Sequence, residues 1–367
     1  MEPALIQRVL DRAVAIQQTP APTFSEGQRA AFVKDGFLAE GLADIRVDER
    51  GNVFGRLPGS GSGRPVVVSA HTDTVFPAST DLGLRREADK IYGPGIGDNA
   101  LGVAGLFGLL WMLCQRNSNL PGDVWLVANV GEEGLGDLVG MRAVVERFGD
   151  TPRAYLILEG MALGQVYHRA LGVQRYRITI NTTGGHSWVD YGRPSAIHEL
   201  ATLVTRLVNL PVSRNPRTSL NVGKISGGTS VNTIAPEATL ELDLRSEGER
   251  TLQNLVERVL HLVASANRPD VKAFYQVIGS RPAGKIPADH PLVLLARRCL
   301  EEQGIQPNLA IGSTDANVPL SRGLPAVCVG LSTGHGAHTN QEYIHTGPLG
   351  LGLAQLAALT VGVFNLG

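Results

Sequence analysis

The first half of the chain alternates short apolar runs with longer segments in which apolar residues recur every three or four positions. The short runs predict buried strands, and the longer segments predict helices that pack on them. Strands that alternate with helices indicate an α/β sheet with helices on both faces. We expect helices at 3–18, 26–40, 98–114 and 137–148, strands at 44–56, 66–70, 123–130 and 154–158, and a long loop at 71–97.

The pattern changes near Gly172, where apolar and polar residues alternate in VQRYRITI. Such alternation predicts a strand with one face in water. The elements that follow are expected in the order β-α-β-β-α-β, which predicts a compact antiparallel sheet with two helices. The first pattern returns from Leu292 and ends in a buried strand, VCVGL, and a helix at 349–363. The chain is therefore expected to divide into one domain formed by 1–172 and 284–367 and a domain inserted at 173–283.

Histidines and acids follow the predicted strands directly. These residues are His71 and Asp73 after VVVSA, Asp98 after GPGIG, Glu132 and Glu133 after WLVANVG, Glu159 after AYLIL, and much later His338 in GHGAHTNQEYI. The carboxyl ends of parallel strands meet at one edge of a sheet, so one site assembled from several loops is expected there. Histidine mixed with carboxylates suits a divalent metal ion.

Each of these residues also has a purely structural interpretation. His71 and Asp73 point the same way in an extended backbone, so one could bind metal while the other orients it, or Asp73 could cap a turn. Asp98 could cap the helix behind it. Adjacent acids at the end of an apolar strand need a compensating positive charge unless the turn is exposed. Of Glu132 and Glu133, one could bind metal while the other acts as a general base.

Charge and cysteine usage exclude several classes of protein. The net charge of −1 leaves no basic excess to neutralise phosphates, which argues against a nucleic-acid partner or an anionic membrane. Cys114, Cys299 and Cys328 are far apart and flanked by apolar residues, so we expect buried thiols in a reducing, cytoplasmic compartment. The amino-terminal segment lacks the apolar stretch of a secretory signal. The apolar segment 100–114 is expected to be too short to cross a bilayer, which takes about 20 residues.

Taken together, the motifs resemble those of the M20 family of co-catalytic zinc peptidases and amidohydrolases. The motifs are HTDTVFP, GDNALGVAG, GEEG, LEG, TGGHSW, NTIAPEATLELDLRS, GSTDAN and AHTNQEYI, and they run in the family's order from about residue 65 onward. That family includes tripeptidase T, carboxypeptidase G2, aminoacylase and succinyl-diaminopimelate desuccinylase. The resemblance implies an α/β catalytic domain, with a mixed sheet flanked by helices, and an inserted α+β lid and dimerisation domain.

The resemblance also implies a role for each residue of the strand-end set. The implied metal ligands are His71 and Glu159 on one Zn²⁺, Glu133 and His338 on the other, and Asp98 between them. Co²⁺ or Mn²⁺ could substitute for zinc. Glu132 is implied as the general base that takes a proton from a metal-activated water, and Asp73 as the acid that orients His71.

Three residues of the inserted domain complete the implied site. His186 in TGGHSW would donate to the developing oxyanion. Asn232 and Arg245 match positions that hold substrate in some relatives. Arg245 could grip a carboxylate with both ends of its guanidinium, or it could form a surface salt bridge. The resemblance further implies a homodimer through the inserted domain, in which the partner's histidine enters the site.

The implied activity is hydrolysis of an amide bond in a small peptide or an N-acyl amino acid. Glu159 favours acylases, desuccinylases and carboxypeptidases, because aminopeptidase and dipeptidase relatives tend to have aspartate there. GSTDAN and GHGAHTNQEYI favour the tripeptidase T branch instead, so both substrate classes stay open, and His335 stands where a small residue is expected. An inactive metal-binding scaffold of the same fold is the alternative from another functional class. Glu132 beside a complete ligand set argues against that alternative.

Overall fold

The computed structural model describes residues 2–115 and 120–366. The chain divides into two compact units, a larger one formed by the segments up to Ala170 and from Gly284, and a smaller one formed by Leu171–Ala283. The smaller unit is thus an insertion in the chain of the larger. The sequence pattern predicted boundaries after residues 172 and 283, and the two units divide after residues 170 and 283.

Helices and strands are numbered here in chain order through both units. The helices are α1 (Pro3–Gln17), α2 (Gly27–Ala39), α3 (Leu101–Gln115), α4 (Val139–Phe148), α5 (Ala196–Val208), α6 (Glu249–Ser265), α7 (Pro291–Glu301), α8 (Asn317–Ser321) and α9 (Leu349–Val363). The first strands are β1 (Ala43–Val47), β2 (Val53–Leu57), β3 (Gly63–His71), β4 (Arg85–Glu87), β5 (Lys90–Tyr92), β6 (Gly122–Asn129), β7 (Ala154–Glu159) and β8 (Gln165–Ala170). The others are β9 (Gly172–Thr182), β10 (Gly185–His186), β11 (Thr218–Gly227), β12 (Thr233–Ile234), β13 (Glu237–Ser246), β14 (Val271–Arg281), β15 (Gly284–Lys285), β16 (Asn308–Gly312), β17 (Ala326–Gly330), β18 (Gly334–His335) and β19 (Tyr343–His345).

The larger unit is built on a mixed sheet in the order β1-β2-β6-β3-β7-β17-β8-β15, with β16 paired to β8. The central strands β6, β3, β7 and β17 run parallel. Their side chains are buried on both faces, as in Val66, Val67 and Val68, which explains the uninterrupted apolar runs of the sequence. The predicted α/β fold class is confirmed, and the carboxyl ends of β3, β6 and β7 lie along one edge of this sheet.

A small second sheet in the larger unit corrects the prediction that 71–97 is a loop. Its strand order is β18-β19-β5-β4. The strands β4 and β5 have three residues each, too few for alternation to show in the sequence. Tyr92 at the end of β5 pairs with Tyr343 of β19. Because Asp98 follows β5 and His338 precedes β19, this pairing brings the two residues together.

The start of α3 also differs from the prediction of a helix from residue 98. Asp98 and Asn99 have non-helical backbone angles, with φ −112° and ψ 86° at Asp98, and the peptide bond between them is cis. The helix begins only at Leu101, so Asp98 is not its cap. The whole run Ile96–Gln115 has 20 residues and is long and apolar enough to cross a membrane by length and composition, contrary to our expectation. Its most apolar window is 94% buried within the protein, and a buried core helix meets the same criterion.

The cysteines correct a second expectation. Cys299 and Cys328 are buried, but Cys114 at the end of α3 is exposed. Burial raises the pKa of Cys299 to about 11, so this thiol stays protonated at neutral pH. Apolar neighbours in the sequence did not distinguish the last turn of a helix, which faces water, from its interior.

The smaller unit consists of an antiparallel sheet in the order β11-β13-β9-β14, with α5 and α6 on one face. Alternate residues of β9 and β13 point into the core between sheet and helices: Tyr176, Ile178, Ile180, Leu240, Leu242 and Leu244. The predicted four-stranded sheet with two helices is confirmed. A short antiparallel pair of strands, β10 with β12, forms a separate two-stranded sheet, and β10 follows β9 in the chain.

Candidate metal centre

Asp98 lies between two histidines of the larger unit. His71 Nε2 is 3.2 Å from Asp98 Oδ1, and His338 Nε2 is 3.1 Å from Asp98 Oδ2. His71 Nε2 is also 3.8 Å from Glu159 Oε2, while His338 Nε2 is 3.1 Å from Glu133 Oε1. The five predicted ligands are therefore brought together, and each side of Asp98 offers one imidazole and one further carboxylate. Ligand atoms of His71, Asp98 and Glu133 all lie within 4.8 Å of one another.

The charges of this cluster suit a divalent cation. Burial alone would lower the pKa of His71, but the neighbouring carboxylates, first Asp73 and then Asp98, raise it well above its ordinary value. Hydrogen bonds to Asp98 and Glu133 raise the pKa of His338 to about 10. Both imidazoles thus lie between carboxylates that favour their protonated form. A metal ion in their place would displace these protons, because a histidine ligand must be neutral.

Asp73 holds the acidic turn that follows β6. Its Oδ1 accepts the backbone N–H of Glu132 at 2.9 Å, and its Oδ2 accepts that of Glu133 at 2.8 Å. The hydroxyl of Thr23 donates to the same Oδ2 at 2.9 Å. His71 Nδ1 lies 3.2 Å from the backbone carbonyl of Asp73 and 3.5 Å from its carboxylate. The Asp73 carboxylate therefore positions the backbone of Glu132 and Glu133, and it also faces His71.

Two charged residues near the amino terminus escaped the sequence analysis: Glu26 supports the same turn, and Arg29 supports the end of β3. Glu26 Oε1 accepts the backbone N–H of Gly131 at 3.2 Å. The buried guanidinium of Arg29 donates to the carbonyl of Thr72 at 2.7 Å, between His71 and Asp73. Burial lowers the pKa of Arg29 to about 10, and the charge of Asp73 opposes that shift. Arg29 lies on the inner face of the amphipathic helix α2. This position is the sequence signal that could have indicated its supporting role.

The Asn99 side chain clamps the strand end that carries Glu159. Its Nδ2 donates to the carbonyl of Leu158 at 2.8 Å, and its Oδ1 accepts the N–H of Gly160 at 3.0 Å. Both backbone neighbours of Glu159 are therefore fixed. Burial raises the pKa of Glu159 to about 7, and the carboxylate of Asp315 in the GSTDAN motif adds to this shift.

His186 and Asn232 of the smaller unit are neighbours in an exposed region. The N–H of Ser187 donates to the backbone carbonyl of Asn232 at 3.0 Å. His186 Nδ1 accepts the N–H of Trp188 at 3.2 Å and that of Val189 at 3.4 Å. With Nδ1 accepting, the proton of the neutral ring is on Nε2, which leaves that nitrogen as a donor.

Arg245 lies at the end of the four-stranded sheet that is away from β10 and β12. In the pairing of β13 with β9, Glu237 faces Asn181 near the end of β9 that β10 follows, whereas Arg245 faces Val173. Eight residues at roughly 3.4 Å each separate the two ends by about 27 Å. Arg245 forms the surface ion pair that the sequence left open, with Nε 2.7 Å from Asp243 Oδ1. Asn232 precedes the near end of β13 and Arg245 lies at its far end, so the two residues are placed toward opposite ends of this strand.

Comparison with protein families and curated proteins gives consistent matches. The model of the peptidase family M20/M25/M40 matches residues 67–360. The chain is 26% identical over 267 residues to a probable carboxypeptidase of Arthroderma otae, covering 66% of this chain and 57% of that protein. It is 24% identical over 346 residues to a putative succinyl-diaminopimelate desuccinylase of Mycobacterium tuberculosis, covering 92% and 94%.

Solved structures share the whole architecture. A tripeptidase from Staphylococcus aureus has a TM-score of 0.84 at 21% identity, covering 98% of this chain and 99% of that one. A Bacillus subtilis protein described as a dinuclear metal binding peptidase has a TM-score of 0.73 at 17% identity, covering 99% of both chains. At these identities the likeness shows a common fold.

Proposed function

This chain belongs to the peptidase family M20/M25/M40, and from that premise we propose that it is a hydrolase using two divalent metal ions, Zn²⁺ foremost, to cleave an amide bond in a small peptide or an N-acyl amino acid. One observation carries the proposal. Asp98 presents one oxygen to each of two histidines, and each histidine faces a second carboxylate. This arrangement offers one ligand set on each side of a shared carboxylate, as co-catalytic metal sites require.

The metal ligands follow from these pairs. In this proposal His71 and Glu159 hold one ion, Glu133 and His338 hold the other, and Asp98 bridges them. When bound, the ions would polarise the scissile carbonyl and lower the pKa of the attacking water. Co²⁺ or Mn²⁺ would satisfy the same nitrogen and oxygen ligands.

Glu132 is proposed as the general base. It is 6% exposed, adjacent to the ligand Glu133, and its backbone is fixed by the carboxylate of Asp73. Side chains of adjacent residues diverge, so Glu132 can face the substrate while Glu133 faces the metal. Its carboxylate would take a proton from the attacking water and pass it to the leaving amine. Asp73 would hold both glutamates in place and orient His71.

The smaller unit is proposed to complete the site in a homodimer. His186 would donate from Nε2 to the developing oxyanion, and Asn232 and Arg245 would hold the substrate. Because Arg245 lies about 27 Å along the sheet from the end near His186, one substrate cannot use all three residues of one chain. A dimer removes this conflict, since the partner subunit's His186 and the partner subunit's Asn232 could serve this chain's site together with its own Arg245.

The dimer predicts a molar mass twice that of the 39.0 kDa chain by light scattering. His186→Ala should lower kcat by roughly 10²-fold, because one oxyanion donor is lost. His198→Ala, which changes a histidine of α5, serves as the control. A monomer with full activity would refute the dimeric site.

Two substrate classes remain within the proposal, and the chain offers a signal for each. Glu159 favours acylases, desuccinylases and carboxypeptidases, in line with the names of the curated relatives. The GSTDAN and GHGAHTNQEYI motifs favour tripeptides, in line with the name of the Staphylococcus aureus structure. Arg245 would read a free carboxylate in either class once it leaves Asp243.

A hydrolysis panel tests the function directly. The metal-free chain is loaded with Zn²⁺, Co²⁺ or Mn²⁺ and incubated with tripeptides, dipeptides and N-acyl amino acids. We expect one class to be cleaved at least about tenfold faster than the others, with activity lost on chelation and restored by metal. A chain that binds metal but cleaves none of them would be the inactive scaffold instead.

A further inference from the structure

The buried carboxylate of Glu342 is bonded to the loop that carries Asp98. Its Oε1 accepts the backbone N–H of Gly97 at 2.7 Å and that of Asp98 at 2.8 Å, and its Oε2 accepts that of Gly95 at 3.0 Å. The backbone carbonyl of Glu342 accepts the N–H of Gly93 at 2.9 Å. Four N–H groups of one six-residue segment therefore end on a single residue that is 0% exposed.

A second long-range hydrogen bond reaches this loop at Pro94, whose carbonyl accepts the side-chain amide of Gln17 at 3.0 Å. Asp98 lies outside the regular helix, since α3 begins only at Leu101 and Asp98 itself has non-helical backbone angles. Glu342 stands four residues after His338, directly before β19. One side chain thus connects the segment that carries His338 to the segment that carries Asp98.

A carboxylate suits this position better than an amide. Both oxygens of an ionised glutamate only accept, and here both are used by three N–H donors. In a glutamine, one of these atoms becomes an NH₂ group that faces a donor. Burying the Glu342 carboxylate next to that of the proposed ligand Asp98 is electrostatically unfavourable, because two negative charges repel each other. A residue with a purely structural role would not need this charge.

We propose that Glu342 is the positioning residue of Asp98, holding the aspartate so that its two oxygens face the two histidines. The inference rests on the proposed metal function of Asp98. Without the Glu342 carboxylate the loop 93–98 would lose its side-chain hydrogen bonds to the segment that carries His338, and the cost would appear as weaker metal binding more than as unfolding. Loss of such an outer partner typically costs 10- to 100-fold in metal affinity.

The test is calorimetric titration of the metal-free full chain with Zn²⁺. We expect Glu342→Gln to weaken binding about 10-fold and Glu342→Ala up to about 100-fold. The matched control is Asp48→Asn, because Asp48 Oδ1 also accepts three backbone N–H groups, from Arg50, Gly51 and Asn52, in the turn between β1 and β2. This variant should bind Zn²⁺ within about twofold of the parent chain. Thermal unfolding of each metal-free variant is measured in parallel.

The results of these measurements distinguish failure of the positioning role of Glu342 from failure of the proposed metal function. Unchanged Zn²⁺ affinity in both Glu342 variants would overturn the positioning role, as would an equal loss in Asp48→Asn at equal loss of stability. If Glu342→Ala does not fold, Glu342→Gln decides the matter. A parent chain that takes up no Zn²⁺ would instead refute the proposed function.

Discussion

Glu132→Gln is expected to lower kcat by about 10²- to 10⁴-fold while leaving metal content and KM close to those of the parent chain. Glutamine keeps the size of the side chain but cannot accept the proton of the attacking water. The bond from the backbone N–H of residue 132 to Asp73 does not involve the substituted group, so the turn and the ligand Glu133 stay in place. Steady-state kinetics on the best panel substrate, together with metal analysis of the purified protein, measure both quantities.

Glu146→Gln is the control for this change. Glu146 is an exposed acid on α4, so its neutralisation alters the net charge by the same amount away from the site. Turnover like that of the parent chain in Glu132→Gln would eliminate Glu132 as the base. Loss of metal in that variant would assign the residue to the ligand set instead.

Asp98→Ala is expected to remove most of the bound metal from both sides of the site. Asp98 is the carboxylate that faces both histidines, so its loss leaves each ion with only two of the proposed protein ligands. His71→Ala should weaken only the ion shared with Glu159, and His338→Ala only the ion shared with Glu133. Metal analysis after dialysis should therefore give about two ions per parent chain, about one in each histidine variant, and fewer in Asp98→Ala.

His335→Ala provides the matched histidine control. His335 is exposed and lies three residues before His338, and its ring packs against that of Tyr343 at a tilt. Its removal should leave the metal content unchanged. Unchanged stoichiometry in Asp98→Ala would exclude this residue from the site, and a loss in His335→Ala equal to that in His338→Ala would show that the segment responds to any substitution.

The residues of the proposed ligand set could be found in the sequence because of where parallel strands end. The apolar runs of β3, β6 and β7 are unmistakable, and His71, Glu132 and Glu159 stand at or just beyond their ends. The edge of the sheet determines which residues are neighbours of a residue at such a position. The family motifs then supplied the pairing of ligands, which the distances around Asp98 match.

The supporting residues could not be found in the same way. Asn99, Glu342 and Arg29 act through bonds to backbone groups that lie up to 247 positions away. Nothing local distinguishes Asn99 from a residue at a helix start or Glu342 from a loop acid, and Arg29 is indicated only by its place on the inner face of α2. The strands β4 and β5 escaped for a related reason, because three-residue strands carry no period; β4 pairs with β5, and β5 pairs with β19.

The residues of the smaller unit show a third limit of prediction from the sequence. Motif matching assigned Asn232 and Arg245 to substrate binding, but their positions depend on the register of β13 against β9. The 14 residues from Asn232 to Arg245 include almost the whole of β13. Residues at its two ends are therefore at opposite ends of the sheet, which the spacing in the sequence does not reveal by itself.

The pairing of β5 with β19 also bears on when the protein acquires its metal during synthesis. Tyr92 and Tyr343 are partners, so this contact forms only after the insertion and the returning sheet strands have been translated. Closing so long a loop is slow compared with local folding. A growing chain on the ribosome therefore has His71 and Asp98 early but gains His338 and Glu342 late. We expect a nascent chain to remain without its complete hydrolytic centre until the rest of the protein has been made.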